Sequence, residues 1–286
     1  MPRWRLWGAT INNQHYEDDF IVWMSSSGDH GIAAVADGVT ASIGGPASFT
    51  AVNGLIYMCR SILHEPVEVD RVEKCAVLLG KLFEDEPDRD TLASIAAAKA
   101  AYYEECCRDN TPCTKPLTLQ LLEDGFKPPR SEAAERKKRI VLERNTMPAT
   151  TLLAMIVKGE HVGVIMAGDG TLFGLGKTST ESWVVWGALP RFAQETRMAS
   201  YYEYGRGLVG EPLTMVLKVQ PRRLLVLATD GIDPGVLYEV SLEAAKNLVE
   251  NPSSLGNPAA WILSRVRDKV GGFDDDATLV VAFREE

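Results

Sequence analysis

The chain has 286 residues, 45% of them hydrophobic and 24% charged, with a formal net charge of −9. That length holds one large domain or two small ones, since single cores stop growing near about 250–300 residues. The acidic balance excludes a general binder of nucleic acid or anionic membrane, because neither polyanion gains from meeting a surface of its own sign. The five cysteines, Cys59, Cys75, Cys106, Cys107 and Cys113, are odd in number and lack C-x-x-C spacing. They read as small core hydrophobes in a reducing compartment. No window approaches the roughly 18 apolar residues of a membrane span, and the first residues have no apolar signal core, so the expectation is a cytoplasmic protein.

Residues 4–24 predict two strands separated by the carboxylate-rich loop Asn12–Asp19. Ser25–Asp29 then turns the chain into a strand over 32–36, which runs out into Asp37-Gly38. A strand ending in Asp-Gly presents a carboxylate and, because glycine permits close approach, a bare carbonyl oxygen to the same hard cation. After the small-residue loop 39–46, helices are predicted over about 46–63, 70–84 and 91–107. Prolines at 112, 116, 128 and 129 mark a loop insertion, and a helix follows over 131–143 with Ser131 as its cap. Its basic run Arg136-Lys137-Lys138-Arg139 reads as a solvated face.

The apolar runs 150–157, 162–167 and 171–174 are joined by only two to four residues, so they must pair antiparallel, which removes a doubly wound parallel sheet. Gly174–Thr178 is not a phosphate-binding loop, because strand residues, not a helix, follow it. Residues 187–214, rich in Gly, Tyr and Arg, read as an irregular flap. A buried strand over 224–229 leads into Asp230-Gly231. Helices over about 236–250 and 258–270 precede Asp274-Asp275-Asp276 and a last strand over 278–283.

Four carboxylate turns thus leave four apolar runs: Asp37-Gly38, Gly168-Asp169-Gly170, Thr229-Asp230-Gly231 and Asp275-Asp276-Ala277-Thr278. Gathered at one sheet edge they would repel one another, and hard divalent cations are the simplest remedy. Carboxylates without histidine or thiolate beside them suit Mg²⁺ or Mn²⁺ rather than Zn²⁺.

With Tyr16-Glu17-Asp18 ahead of these turns and Ala149-Thr150-Thr151 between them, the order of motifs resembles that of the metal-dependent type 2C (PPM-type) serine/threonine protein phosphatases, in a bacterial-like form, over residues 8–283. The resemblance implies an α+β fold, a four-layer αββα sandwich of two antiparallel sheets flanked by helices. It also implies one catalytic domain spanning 1–286, with an insertion at about 109–148. Asp37 would bridge two Mn²⁺ or Mg²⁺ ions and the Gly38 carbonyl would bind the first. Asp230 and Asp275 would complete the second, and Asp169 with Asp230 would hold a possible third. Asp37, Asp230 and Asp275 are the implied catalytic residues, with Glu17, Asp18 and Thr151 behind them, and a hydroxide held by two cations about 3.5–4 Å apart would attack phosphorus in line. The implied partners are a phosphoserine or phosphothreonine protein and a cognate kinase, acting with a monomeric phosphatase in cytoplasmic signalling.

Three departures stand against that pattern. Asn13 occupies the place of the family's phosphate-binding arginine, for which His15 or Arg5 are the candidate substitutes. Gly170-Thr171 replace a serine and an arginine, and Val39 stands where eukaryotic members often carry a histidine. A catalytically weak binding module with the same fold, or a hydrolase of small phosphate esters, are therefore the competing expectations.

Overall fold

The computed structural model describes residues 3–12, 15–39, 43–108, 111–124, 131–177, 182–189 and 200–285. The order is β1 (Trp4–Ile11), β2 (Asp19–Met24), β3 (His30–Ala36), α1 (Gly45–Cys59), α2 (Val69–Lys81), α3 (Arg89–Cys106), α4 (Leu119–Glu123) and α5 (Glu132–Glu143). Then come β4 (Ala149–Thr150), β5 (Leu152–Lys158), β6 (His161–Ala167), β7 (Thr171–Lys177), β8 (Trp183–Leu189), β9 (Ser200–Glu203), β10 (Gly207–Gly210), β11 (Leu213–Lys218) and β12 (Arg223–Ala228). The chain closes with α6 (Pro234–Glu250), α7 (Pro258–Val270) and β13 (Ala277–Arg284).

Alternation along the strands sets the layers. Leu225 and Leu227 of β12 face Phe20, Val35, Leu153 and Met155, and this shared core joins two five-stranded sheets of order β1-β13-β12-β7-β8 and β11-β6-β5-β3-β2. Leu224 and Val226, on the opposite face of β12, pack on Leu237, Val240, Ile262 and Leu263 of α6 and α7. On the far side, Ile32, Ala34 and Ile156 meet Ala51, Leu55, Val72 and Leu79 of α1 and α2. The result is the four-layer αββα sandwich of an α+β protein. A fully buried side chain such as Phe20 contributes about 1.5–3 kcal/mol by leaving water.

Helix starts follow local chemistry. Pro46, Pro234 and Pro258 sit in first turns, where a missing N–H costs nothing. Ser131 accepts from the Ala134 N–H at 2.9 Å, as the capping reading requires.

Three expectations change. The flap predicted over 187–214 is largely strand from residue 200 onward: β9 and β10 form a hairpin that joins β4 in a third, three-stranded sheet, and β11 begins at Leu213. Residues 190–199 of that flap lie outside the described residues. The buried Ser200 and Tyr202 alternate with Tyr201 and Glu203, a period of two hidden by the glycines around it. Second, the proline-rich insertion contains the short helix α4. Third, the cysteines are not all free: Cys59 is bonded to Cys75 and Cys106 to Cys113, each pair with Cα atoms 5.3 Å apart, leaving Cys107 as the buried thiol. The spacing rules seek pairs close in sequence or arranged around metals, and the helix contact that brings α1 to α2 is invisible to them. Among the described residues no helix is long and apolar enough to cross a membrane.

Candidate metal centre

β3 delivers Asp37 to the edge of its sheet, where the backbone is fixed by the segment that opens β4 and β5. The Asp37 carbonyl accepts from the Thr151 N–H and the Thr150 hydroxyl, both at 2.8 Å, and the Thr151 hydroxyl accepts from the Asp37 N–H at 3.2 Å. Gly38 then packs backbone to backbone against Gly44, so close that a Cβ on Gly38 would lie 2.5 Å from the Gly44 carbonyl carbon. That contact requires glycine on both sides.

The pairing of Asp19 with Ala36 sets the loop before β2 beside Asp37. Asp18 is fully buried, and burial together with the charges of Asp37 and Asp276 pushes its carboxyl well above the ordinary range. The Asp18 and Asp37 carboxyls are close enough to act on each other directly. Tyr16, two residues earlier, has φ of 57°, a left-handed conformation that bulky residues rarely adopt. Asp276 holds it there, its two carboxylate oxygens accepting from the N–H groups of His15 at 3.1 Å and Glu17 at 2.8 Å.

The other turns meet at the same edge. A Cβ on Gly170 would lie 2.7 Å from the Ala228 carbonyl oxygen, so the turn carrying Asp169 abuts the end of β12. Gly231 in turn presses on the Asp276 carbonyl, placing Asp230 beside Asp275. A cleft of about 540 Å³ opens here, lined by Asp230, Asp233, Asp274, Asp275 and the Gly271–Phe273 segment. Asp275 projects into solvent with its side chain 62% exposed, and the His15 imidazole lies 3.9 Å from it.

The donors are all hard oxygens, and their charges bear on Asp37. Burial first, then the charges of Asp230 and Asp275, push Asp37 up to about 8. A divalent cation relieves such repulsion, so the chemistry of the set fits Mg²⁺ or Mn²⁺. Among the described residues no three His, Cys, Asp or Glu side chains close around one point, so the carboxylates are gathered without forming a finished cage.

The structure thus brings Glu17, Asp18, Asp37, Gly38, Thr151, Asp169, Asp230 and Asp275 to one edge, with His15 at its rim. Arg5 is a correction: it pairs with Phe283 near the far end of β13, whereas Ile11 pairs with Ala277 beside the site. Its guanidinium sits 2.5 Å from the Glu285 carboxylate. A β-strand rises about 3.3 Å per residue, which removes Arg5 from any substrate at the acidic edge. Asn13 lies outside the described residues.

Two lysines were missed. Lys99 of α3 is fully buried, its ammonium donating to the carbonyls of Glu17 at 2.8 Å and Gly45 at 3.2 Å and to the Ser48 hydroxyl at 2.6 Å. It also lies 2.9 Å from Asp19, close enough to pair but not aligned as a hydrogen bond. Lys137 of α5 reaches Glu17 at 3.5 Å, so the basic run is solvated only at Arg136, Lys138 and Arg139. The signal was present: Lys137 shares the helical stripe of Ala133, Ala134 and Val141.

The fold and this acidic edge define the class, a protein of protein-phosphatase architecture with its carboxylates at the strand ends. The chain belongs to the protein phosphatase 2C family, whose model matches residues 9–262, stopping short of Asp275. No curated protein sequence matches it. Its fold is similar to that of the Mycobacterium tuberculosis serine/threonine phosphatase PstP/Ppp, with 15% identity, a TM-score of 0.53, and 100% of this chain and 99% of that one covered. It is also similar to the S. agalactiae serine/threonine phosphatase, with 12% identity, a TM-score of 0.51, and 99% and 100% covered. The PstP catalytic domain in complex with two manganese ions is 15% identical, with a TM-score of 0.51 and 100% of both chains covered.

Proposed function

We propose that the protein is a Mn²⁺- or Mg²⁺-dependent phosphatase of phosphoserine and phosphothreonine proteins. The observation that carries this reading is the convergence of Asp37, Asp230 and Asp275, far apart in the chain, at one sheet edge, where the charges of Asp230 and Asp275 act on the buried Asp37 carboxyl. Asp37, the Gly38 carbonyl, Asp230 and Asp275 would hold two cations, and Asp169 with Asp230 a possible third. Bound there, such ions lower the pKa of water so that it attacks phosphorus near neutral pH. Thr150 and Thr151 fix the Asp37 backbone, and Glu17 and Asp18 would stand behind the ions. Asp276 holds the loop that carries them, and His15, at the rim, would be the residue to meet the substrate phosphoryl group. The manganese ions of the PstP domain support the choice of metal. A phosphoprotein supplied by a cognate kinase is the substrate class that follows, with a monomer as the acting form.

The test is hydrolysis of p-nitrophenyl phosphate and of a phosphothreonine peptide with Mn²⁺ added or chelated. Turnover should require the metal, favour the peptide, and fall by about a hundredfold or more in Asp37→Asn and Asp230→Asn. Activity that survives EDTA or either substitution overturns the reading. No turnover by the wild-type protein would leave a binding module with this fold, and turnover of the small ester alone would leave a small-ester hydrolase.

A further inference from the structure

Beneath the loop Tyr16–Asp19 lie two buried ammonium groups from different helices. Lys99 of α3 is 0% exposed and Lys137 of α5 is 5% exposed. Lysines are almost never buried to this extent without a partner, because removing an ammonium from water costs several kcal/mol. The stripe of α5 that carries Lys137 is otherwise made of Ala133, Ala134 and Val141, so packing alone would be met by an apolar side chain.

The two lysines divide their work. Lys99 takes the main chain of the loop, through the Glu17 carbonyl, and pairs with Asp19. Lys137 takes the Glu17 side chain at 3.5 Å. Among the described residues, the charged groups that act on Lys137 include the carboxylates of Glu17 and Asp276 and the like charge of Lys99. Glu17 itself faces Lys137, Asp276, Lys99 and His15.

We infer that Lys137 is a positioning residue, which holds the Glu17 carboxylate in place behind the acidic turns, so that the insertion helix α5 completes the site instead of merely decorating it. The inference rests on the phosphatase reading only for its kinetic readout.

The test compares Lys137→Met, Lys137→Arg, Glu17→Gln and the Lys137→Met, Glu17→Gln double variant by hydrogen exchange of the peptide covering residues 15–19 and by Mn²⁺-dependent kinetics. Lys137→Met should speed exchange in that peptide and leave the β-sheet cores unchanged. It should lower kcat about tenfold with little change in KM, as loss of a group behind a metal does. Lys137→Arg should restore both, and Lys137→Met should have no further effect in the Glu17→Gln background. Wild-type exchange and kcat in Lys137→Met, or an effect undiminished when Glu17 is already Gln, overturns the inference. A wild-type protein with no turnover would sink the phosphatase reading while exchange still decides the role of Lys137.

Discussion

The Thr229 hydroxyl donates to Asp18 across 2.8 Å, joining the end of β12 to the loop before β2 in the protein interior. The same hydroxyl accepts from the Thr278 N–H at 3.0 Å, and the Thr278 hydroxyl meets that of Thr10 at 2.7 Å. Three buried hydroxyls thus step across β12, β13 and β1 towards the carboxylates. Thr229→Val keeps the shape and leaves an Asp18 oxygen without its donor, so stability should fall by about 1–3 kcal/mol. Thr229→Ser should stay within about 1 kcal/mol of wild type. Urea midpoints at constant m decide it, and equal losses in both variants would deny the hydroxyl its role.

Lys99 and Asp19 form a pair with both side chains at zero exposure. The Tyr103 hydroxyl also donates to Asp19, at 2.5 Å. Removing one member leaves an uncompensated buried charge, so Lys99→Met should cost about 3–5 kcal/mol. Adding Asp19→Asn should recover part of that loss, and a double-mutant cycle measures the coupling. Additive losses would show that the pair does not interact.

Gly38→Ala and Gly44→Ala should each destabilise by about 1–3 kcal/mol, because each new methyl meets the partner's backbone, which has no rotamer to yield. Thermal unfolding of both variants tests this. An unshifted midpoint in either would mean that the two segments separate readily in solution.

Arg5→Ala should leave kcat/KM within about twofold of wild type, since its guanidinium is engaged by Glu285 at the far end of β1. A large rise in KM would return Arg5 to the list of phosphate contacts.

Unreduced native protein should offer alkylating reagents no thiol at Cys59, Cys75, Cys106 or Cys113. Cys107 should react slowly at about pH 8, because the thiolate is the nucleophile and burial pushes this thiol up to about 11. Its folded value lies above the free thiol's, so the native state holds this proton more tightly. The associated stability is present below the free-thiol value and is lost as pH rises through about 11. Labelling should therefore accelerate steeply over that range. Five thiols modified at the lower pH would restore the free-cysteine reading and with it a reducing compartment.

Much of this was legible in the chain because it is local. Apolar runs joined by two to four residues forced antiparallel pairing, prolines and Ser131 marked helix starts, and each carboxylate announced itself by the run it ended. The hairpin of β9 and β10 escaped because its strands are only four residues each and are bounded by glycines. Lys137 escaped because a basic run was weighed by its charge and not by its place on the apolar stripe.

The sequence by itself determined which residues carry the chemistry and in what order, since strand ends, turns and oxygen donors are properties of a few neighbouring residues. Only the tertiary structure decided which cations stand against them: Lys99 and Lys137 were drawn beneath Glu17, and Arg5 was carried away along β1. Helix packing and strand register act between positions remote in the chain, and a buried charge is settled by what those contacts place within a few ångströms of it.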